Sequence, residues 1–338
     1  MRWLTVLLLV LCVFSMTAVG NAPEKDDHPE LFNIRTLRND ALKLKDKGSY
    51  EKAADKLDQA MRKLQALHES RDDPKKRAAD ASLMAQTLNE LGNVLMADKQ
   101  YETARRVLVQ AVDLSKRIFG PSHPSYSLAL RNLAEVYLAL DQHEEAIEAY
   151  KKLKGHAEKG LGKGHETVID AARRMGESYE KLHRYKKAIK VYKKVLGDIG
   201  LGGDSIPNEL LPAAHEAGVA ELYQGLASCL MKSNQFDDAL KFATLANKII
   251  KRRDGATSMS YAFSLNLLAG TNTYMGRETD ALKLLKDAQK IATKAHGENH
   301  PLIEQGERNI EQLEARIKHK AEKAAKEVSA ADDAKDEL

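Results

Sequence analysis

The chain has 338 residues, of which 30% are charged, 43% hydrophobic and 5% aromatic, with 8 Pro, 20 Gly and 2 Cys. That aliphatic content supports a sizeable core and excludes a wholly disordered chain, while the scarcity of aromatics, Pro and Gly argues against a β-sandwich or a collagen-like chain. Two cysteines cannot make a disulfide framework or a structural zinc cluster, and a net charge of +4 is too balanced to imply nucleic acid or an anionic membrane surface as partner.

Residues 1–20 carry one charge, Arg2, followed by an uncharged run of 14 residues from Trp3 to Met16. A bilayer-spanning helix needs about 20 apolar residues, so the run reads as the core of a signal peptide, and no membrane insertion is expected after cleavage. Ala18 and Gly20 are the small residues that a cut after Gly20 requires; a cut after Ala22 would place Pro23 beside the scissile bond. Residues 21–30 are then expected to form a disordered N-terminus.

From residue 31 to 299 the chain is internally repetitive. Leu91-Gly92-Asn93 followed by Tyr101-Glu102-Thr103-Ala104 recurs as Leu133-Ala134-Glu135 with His143…Ala146, Met175-Gly176-Glu177 with Tyr185…Ala188, Leu226-Ala227-Ser228 with Phe236…Ala239, and Leu268-Ala269-Gly270 with Glu278…Ala281. A divergent first copy contains Ala41 and Tyr50…Ala53, and the anchors at 50, 101, 143, 185, 236 and 278 are spaced 51, 42, 42, 51 and 42. Repeats of this length are the signature of stacked supersecondary units. In each, Gly or Ala on a first helix is placed to face Ala on a second, so two backbones can approach closely, and Tyr101, Tyr185 and Phe236 are placed to fill the turn. Apolar residues at three- and four-residue steps, as in Leu108, Ala111 and Val112, mark amphipathic helices. All 8 prolines fall outside the helix interiors. His143 and Glu278 replace the turn aromatic and are expected to soften those two turns.

This pattern resembles the tetratricopeptide repeat family. The connectors Gly120-Pro121-Ser122-His123-Pro124 and Gly297-Glu298-Asn299-His300-Pro301, with Gly162-Lys163-Gly164-His165 as a variant, resemble those of the 42-residue kinesin light chain type. The resemblance implies an all-α, right-handed superhelical solenoid of six helix pairs with a concave inner face. Residues 300–327, with an apolar stripe of Leu302, Ile303, Ile310, Leu313 and Ile317, fit the capping helix such an array needs. Residues 328–338 are expected to be a flexible tail, and the Gly- and Pro-containing stretch 197–212 is the longest internal loop, suited to splitting the array into sub-blocks.

Catalytic and cofactor patterns are missing. Gly160-Leu161-Gly162-Lys163-Gly164 has Ala157 where a phosphate loop needs Gly, has no Ser or Thr after the Lys, and follows a helix where such a loop follows a strand. Gly197–Gly203 fails the dinucleotide fingerprint for the same reason. The 11 histidines form no zinc-protease or iron-oxygenase ligand pattern, and connector histidines such as His123 and His300 suit ring-to-backbone hydrogen bonds. Basic runs such as Lys251-Arg252-Arg253 lack aromatic interleaving and read as solvated helix faces. Cys12 leaves with the signal peptide, and Cys229 sits in an apolar helical stretch as a buried small hydrophobe. No metal, no cofactor and no enzyme activity is expected.

The groove remains. Asn89 and Asn93, Arg131 and Asn132, and Arg173 and Arg174 stand on first helices where side chains should face the concavity. Asn pairs with an extended peptide's amides through both donor and acceptor, and Arg holds a carboxylate bidentately. Chaperone-binding members of the family clamp a terminal carboxylate with five Lys, Asn and Arg residues over three repeats; by register, Asn93, Asn132 and Arg174 match three of them, whereas Asn89 and Asp170 stand in place of lysines. The chain closes on Lys335-Asp336-Glu337-Leu338, the retrieval signal of the endoplasmic reticulum. The expectation is a non-catalytic adaptor or co-chaperone of the reticulum lumen. It would hold an extended peptide or acidic tail of a luminal protein in its groove and meet the KDEL receptor through its C-terminus. The alternative is a scaffold or non-catalytic subunit that binds through its convex face or its ends.

Overall fold

The computed structural model describes residues 29–201, 213–297 and 300–336; the signal-peptide cut and most of the 197–212 loop lie outside these. The described residues form thirteen α-helices and no strand. They run as successive pairs: α1 (Pro29–Asp46) and α2 (Tyr50–Ser70), α3 (Pro74–Ala97) and α4 (Tyr101–Phe119), α5 (Pro124–Ala139) and α6 (His143–Leu161), α7 (Glu166–Lys181) and α8 (Tyr185–Asp198), α9 (Ala213–Lys232) and α10 (Phe236–Asp254), α11 (Met259–Tyr274) and α12 (Glu278–His296), closed by α13 (Pro301–Asp336). No helix among the described residues is long and apolar enough to cross a membrane.

The repeat is written into the backbone of the turns. Gly48, Lys99, Asp141, His183, Asn234 and Gly276, one per pair, all have positive φ between 54° and 75°, and they fall at the same 51- and 42-residue steps as the sequence anchors. Each ends a first helix in a Schellman motif: at Lys99, for example, the residue's own N–H donates to Met96 O and that of Gln100 to Leu95 O. Between pairs the chain turns on Gly120, Gly162, Gly255 and Gly297. At Gly255 the angles are φ 86° and ψ 162°, a region closed to residues with a Cβ. Two connector histidines, His123 and His165, make ring-to-backbone hydrogen bonds as N-caps of α5 and α7. His123 Nδ1 accepts from the Ser125 N–H at 3.1 Å and His165 Nδ1 from the Thr167 N–H at 3.2 Å, so both rings carry their proton on Nε2. In the connector at Gly255 the Ser258 hydroxyl caps instead, accepting from the Tyr261 N–H at 3.2 Å.

The helices group into two compact units, α1 to α4 ending at Ile118 and α5 to α13 beginning at Phe119. In the first, Ile34, Leu37, Ala60, Leu64 and Leu67 form a core, and Leu108 of α4 lies over Gly92 of α3. The 197–212 stretch does not divide the second unit. One core continues across it from Ile169, Tyr192 and Leu196 to Tyr223, Leu226 and Ile249, because α9 packs on both α7 and α8.

The last helix is longer than its apolar stripe suggested. It continues to Asp336, through residues expected to form a flexible tail, in a sequence dominated by the strong helix formers Ala, Lys and Glu. Ile303 and Leu313 are buried. Glu278, expected to soften a turn, instead anchors this helix: its Oε1 accepts from Lys320 Nζ and Arg316 Nη2, each at 2.8 Å. The Lys320 hydrogen bond, aided by Arg316 and opposed by burial, holds the Glu278 carboxyl below the usual carboxylate range. A depressed carboxylate pKa stabilises the fold above the unfolded-state value and loses that contribution as pH falls through the folded-state value. Amides of 301–327 should therefore lose hydrogen-exchange protection in wild type as the pH drops below about 4. Glu278→Gln should show the reduced protection already at neutral pH; equal protection of the two proteins there would remove Glu278 from this role.

Candidate functional site

Of the six predicted groove residues, Asn89 and Asn93 belong to the first unit and Arg131, Asn132, Arg173 and Arg174 to the second. Asn89 is buried at 8% exposure and Asn93 is half-buried. Asn89 and Asn132 are already engaged within the chain.

In the second unit the arginines differ sharply in what they touch. Arg173 is surrounded by three carboxylates: Asp170 at 2.6 Å and Glu177 at 2.6 Å on its own helix, and Glu221 of α9 at 3.0 Å. Burial disfavours its charge, but Glu177 and Asp170 outweigh that and hold its pKa above the ordinary guanidinium value. Arg174 is held more loosely, 3.4 Å from Glu135 and 3.6 Å from Glu177, and its buried Nε has no hydrogen-bond partner among the described residues. Glu135 also accepts from the buried Tyr150 hydroxyl at 2.5 Å, and burial together with this bond raises the phenol's pKa. Arg131 donates to Thr167 Oγ1 at 3.2 Å, on the residue whose N–H is capped by His165. The surface thus gathers four carboxylates (Glu135, Asp170, Glu177, Glu221) around two guanidinium groups (Arg173, Arg174), a local charge of −2. A carboxylate arriving at Arg173 would have to displace one already there.

One turn further along α7, Glu180 accepts from Ser228 Oγ at 2.8 Å and Lys232 Nζ at 2.7 Å. The buried Cys229 thiol faces its other oxygen at 3.7 Å, and burial, then Glu180, push that thiol up to about 12, so it is an inert apolar residue. Among the described residues no group of His, Cys, Asp and Glu is arranged to hold a metal ion.

The sequence profile of the tetratricopeptide repeat family matches residues 83–159, 134–197 and 264–302. The chain is 36% identical over 311 residues to the RxLR effector protein SFI4 of Phytophthora infestans, covering 88% of this chain and 86% of that one. It is 34% identical over 303 residues to the secreted RxLR effector protein RXLR-C07 of Plasmopara halstedii, covering 88% and 90%. Among solved structures, the nearly identical tetratricopeptide-like repeats of a putative kinesin light chain from Podosopora anserina superpose with a TM-score of 0.52 at 20% identity, over 62% of this chain and 95% of that one, which bears on the fold alone.

The four-residue string in the relatives' names, Arg-any-Leu-Arg, occurs once here, as Arg35-Thr36-Leu37-Arg38. Nothing in its chemistry separates the string from an ordinary amphipathic helix. In the structure it lies inside α1: Leu37 is in the core of the first unit, and Arg38 forks onto Glu90 of α3, Nε to Oε2 at 3.0 Å and Nη2 to Oε1 at 2.6 Å. Arg35 and Arg38 line a groove of about 490 Å³ with Asp80 and Gln86.

Proposed function

We propose an adaptor role for this chain, which belongs to the family of RxLR effector proteins and is built from tetratricopeptide repeats. Arrays of this kind stack helix pairs into extended surfaces for protein partners, so the partner is a protein or peptide segment. In this reading the chain is non-catalytic and binds an extended segment along the first-helix face of its second unit, with Arg131, Asn132, Arg173 and Arg174 among the contacts. The observation that carries it is the saturation of Arg173 by three carboxylates. It favours a neutral or basic segment over the acidic tail that the bare sequence suggested, because the net charge at the surface is negative. Localisation is the second half of the proposal: the apolar run at Trp3–Met16 directs the chain into the secretory pathway, and Lys335-Asp336-Glu337-Leu338 holds it in the reticulum lumen through the KDEL receptor.

The test is capture of partners from luminal extract by wild type and by Glu221→Lys, a half-exposed position that should fold normally. The expected result is a partner lost only from the variant. Identical partner lists would move the function to the second-helix face or the array ends, as for a scaffold. The relatives' names favour a second reading for localisation, export as a secreted effector. Deleting Leu338 should release an otherwise retained chain into the medium; if the wild-type chain is already found there, the effector reading takes over.

A further inference from the structure

The second helices of the pairs differ in charge. α2 and α6 each balance four acidic residues with four Lys or Arg, and α4, α10 and α12 carry an excess of one or two positive charges. In α8 five lysines face a single acidic residue, Asp198 at its end. At 3.6 residues per turn, Lys186, Lys187, Lys190, Lys193 and Lys194 fall within an arc of about 120°. All five are exposed, while Ala188, Tyr192, Val195 and Leu196 on the other side of the helix lie in the core. Among the described residues only Lys193 has a carboxylate within ion-pair reach, Asp238 of α10 at 3.5 Å. Lys187 lies 5.9 Å from the centre of the Tyr179 ring. Lys190 stands three or four residues from each of the other four lysines, the spacings at which like charges repel on a helix. A face that only needs to be solvated avoids this, as α6 does by setting Glu148 3.5 Å from Lys151.

We infer that the lysine face of α8 docks a short acidic run of a partner protein in extended conformation. The occupant follows from charge complementarity: the ammonium groups of Lys186, Lys190 and Lys194 have no counter-ion of their own, and carboxylates placed over them relieve the repulsion centred on Lys190. The three lysines step about 6 Å apart along the helix, and alternate side chains of an extended chain are about 6.6 Å apart, so an Asp or Glu run can set one carboxylate against each. Lysine is a point charge on a flexible stem, which absorbs the difference in spacing. An anionic membrane fits less well, because the apolar side chains of α8 are turned into the core and leave none to enter a bilayer. This face belongs to a second helix, so it is independent of the first-helix surface around Arg173 and of the segment proposed to bind there.

The probes are fluorescein-labelled dodecapeptides of Ser, Gly and Thr with a central run of Glu, Gln or Lys, titrated with the full chain at low salt by fluorescence polarisation. The Glu peptide should bind about tenfold or more tighter than the Gln peptide, the span of about three surface ion pairs, and the Lys peptide should not bind this face. The advantage should shrink at about 0.15 M salt, where the Debye length is about 8 Å. Lys190→Glu should weaken Glu-peptide binding about fivefold or more while the thermal midpoint stays at or above that of wild type, because the like-charge spacings around it become attractive. Lys186→Gln with Lys194→Gln, which adds no negative charge, should weaken it as well. Lys76→Glu, the same charge change at an exposed position of the first unit, and Glu221→Lys should both leave it within about twofold of wild type. Equal affinity for the Glu and Gln peptides, undiminished Glu-peptide binding by folded Lys190→Glu, or an equal loss in Lys76→Glu would each overturn the docking face. So would binding to vesicles containing phosphatidylserine that Lys190→Glu abolishes, with no binding of the Glu peptide; that outcome would assign the lysines to a membrane surface.

Discussion

Replacing Gly176 by Ala is expected to destabilise the second unit by about 1–3 kcal/mol, the cost of overpacking a filled core. Helix propensity alone predicts the opposite sign, a gain of up to about 1 kcal/mol. The clash decides. A Cβ at position 176 would lie 2.1 Å from Cζ and 2.4 Å from Cε1 of Tyr192, which is fully buried. The ring has nowhere to go, because its other side meets Gly225 of α9, where a Cβ would lie 2.6 Å from the hydroxyl. That hydroxyl donates to the Arg173 carbonyl at 3.4 Å, so a displaced Tyr192 also disturbs the helix segment that presents Arg173. Because repeat arrays unfold in parts, the readout is hydrogen exchange in α7 to α9 alongside the thermal midpoint. Gly270→Ala, whose Cβ would meet only Met231 Sδ at an ordinary 3.8 Å, is the control and should stabilise. A Gly176→Ala protein as stable as wild type would mean that α7 and α9 are not held together through Tyr192.

The same residues show what the sequence made legible. Small residues at fixed steps announced the close approaches at Gly92 and Gly176, and the connector type announced the ring-to-backbone hydrogen bonds that His123 and His165 make. Those signals are local in the chain, and they depend on size and backbone conformation, which a residue's identity states directly. The charged surface was legible only in part. Asp170 and Glu177 lie three before and four after Arg173 on one helix, a readable spacing, but Glu221 reaches it from α9, 48 positions away. Glu278 looked like a defective turn aromatic because its partners, Arg316 and Lys320, are contributed by a helix 38 and 42 positions downstream. The 197–212 stretch read as a break because Gly and Pro mark loops, whereas continuity of a core is decided by side chains such as Tyr192 and Tyr223 packing on either side of it.

Leu37→Ala is expected to cost the first unit about 2–5 kcal/mol, the range for a buried Leu truncated in a core. Leu37 is 8% exposed among Ile34, Ala60, Leu64 and Leu67, whereas its neighbour Thr36 is exposed, and Thr36→Ala should stay within about 0.5 kcal/mol of wild type. Arg38→Glu should loosen α1 from α3 by replacing the fork to Glu90 with a like-charge contact between partly buried groups, and adding Glu90→Arg should restore much of the loss. Hydrogen exchange in α1 and α2 reads all four proteins. If Leu37→Ala and Arg38→Glu lose protection there while Thr36→Ala does not, then substituting the Arg-any-Leu-Arg string in this chain reports first on folding. Any effect on transport or binding would have to be measured against the rescued Arg38→Glu, Glu90→Arg pair before it could be assigned to recognition. Unchanged protection in Leu37→Ala would mean that α1 is not docked through this residue, and the string would again be open to reading as a linear signal.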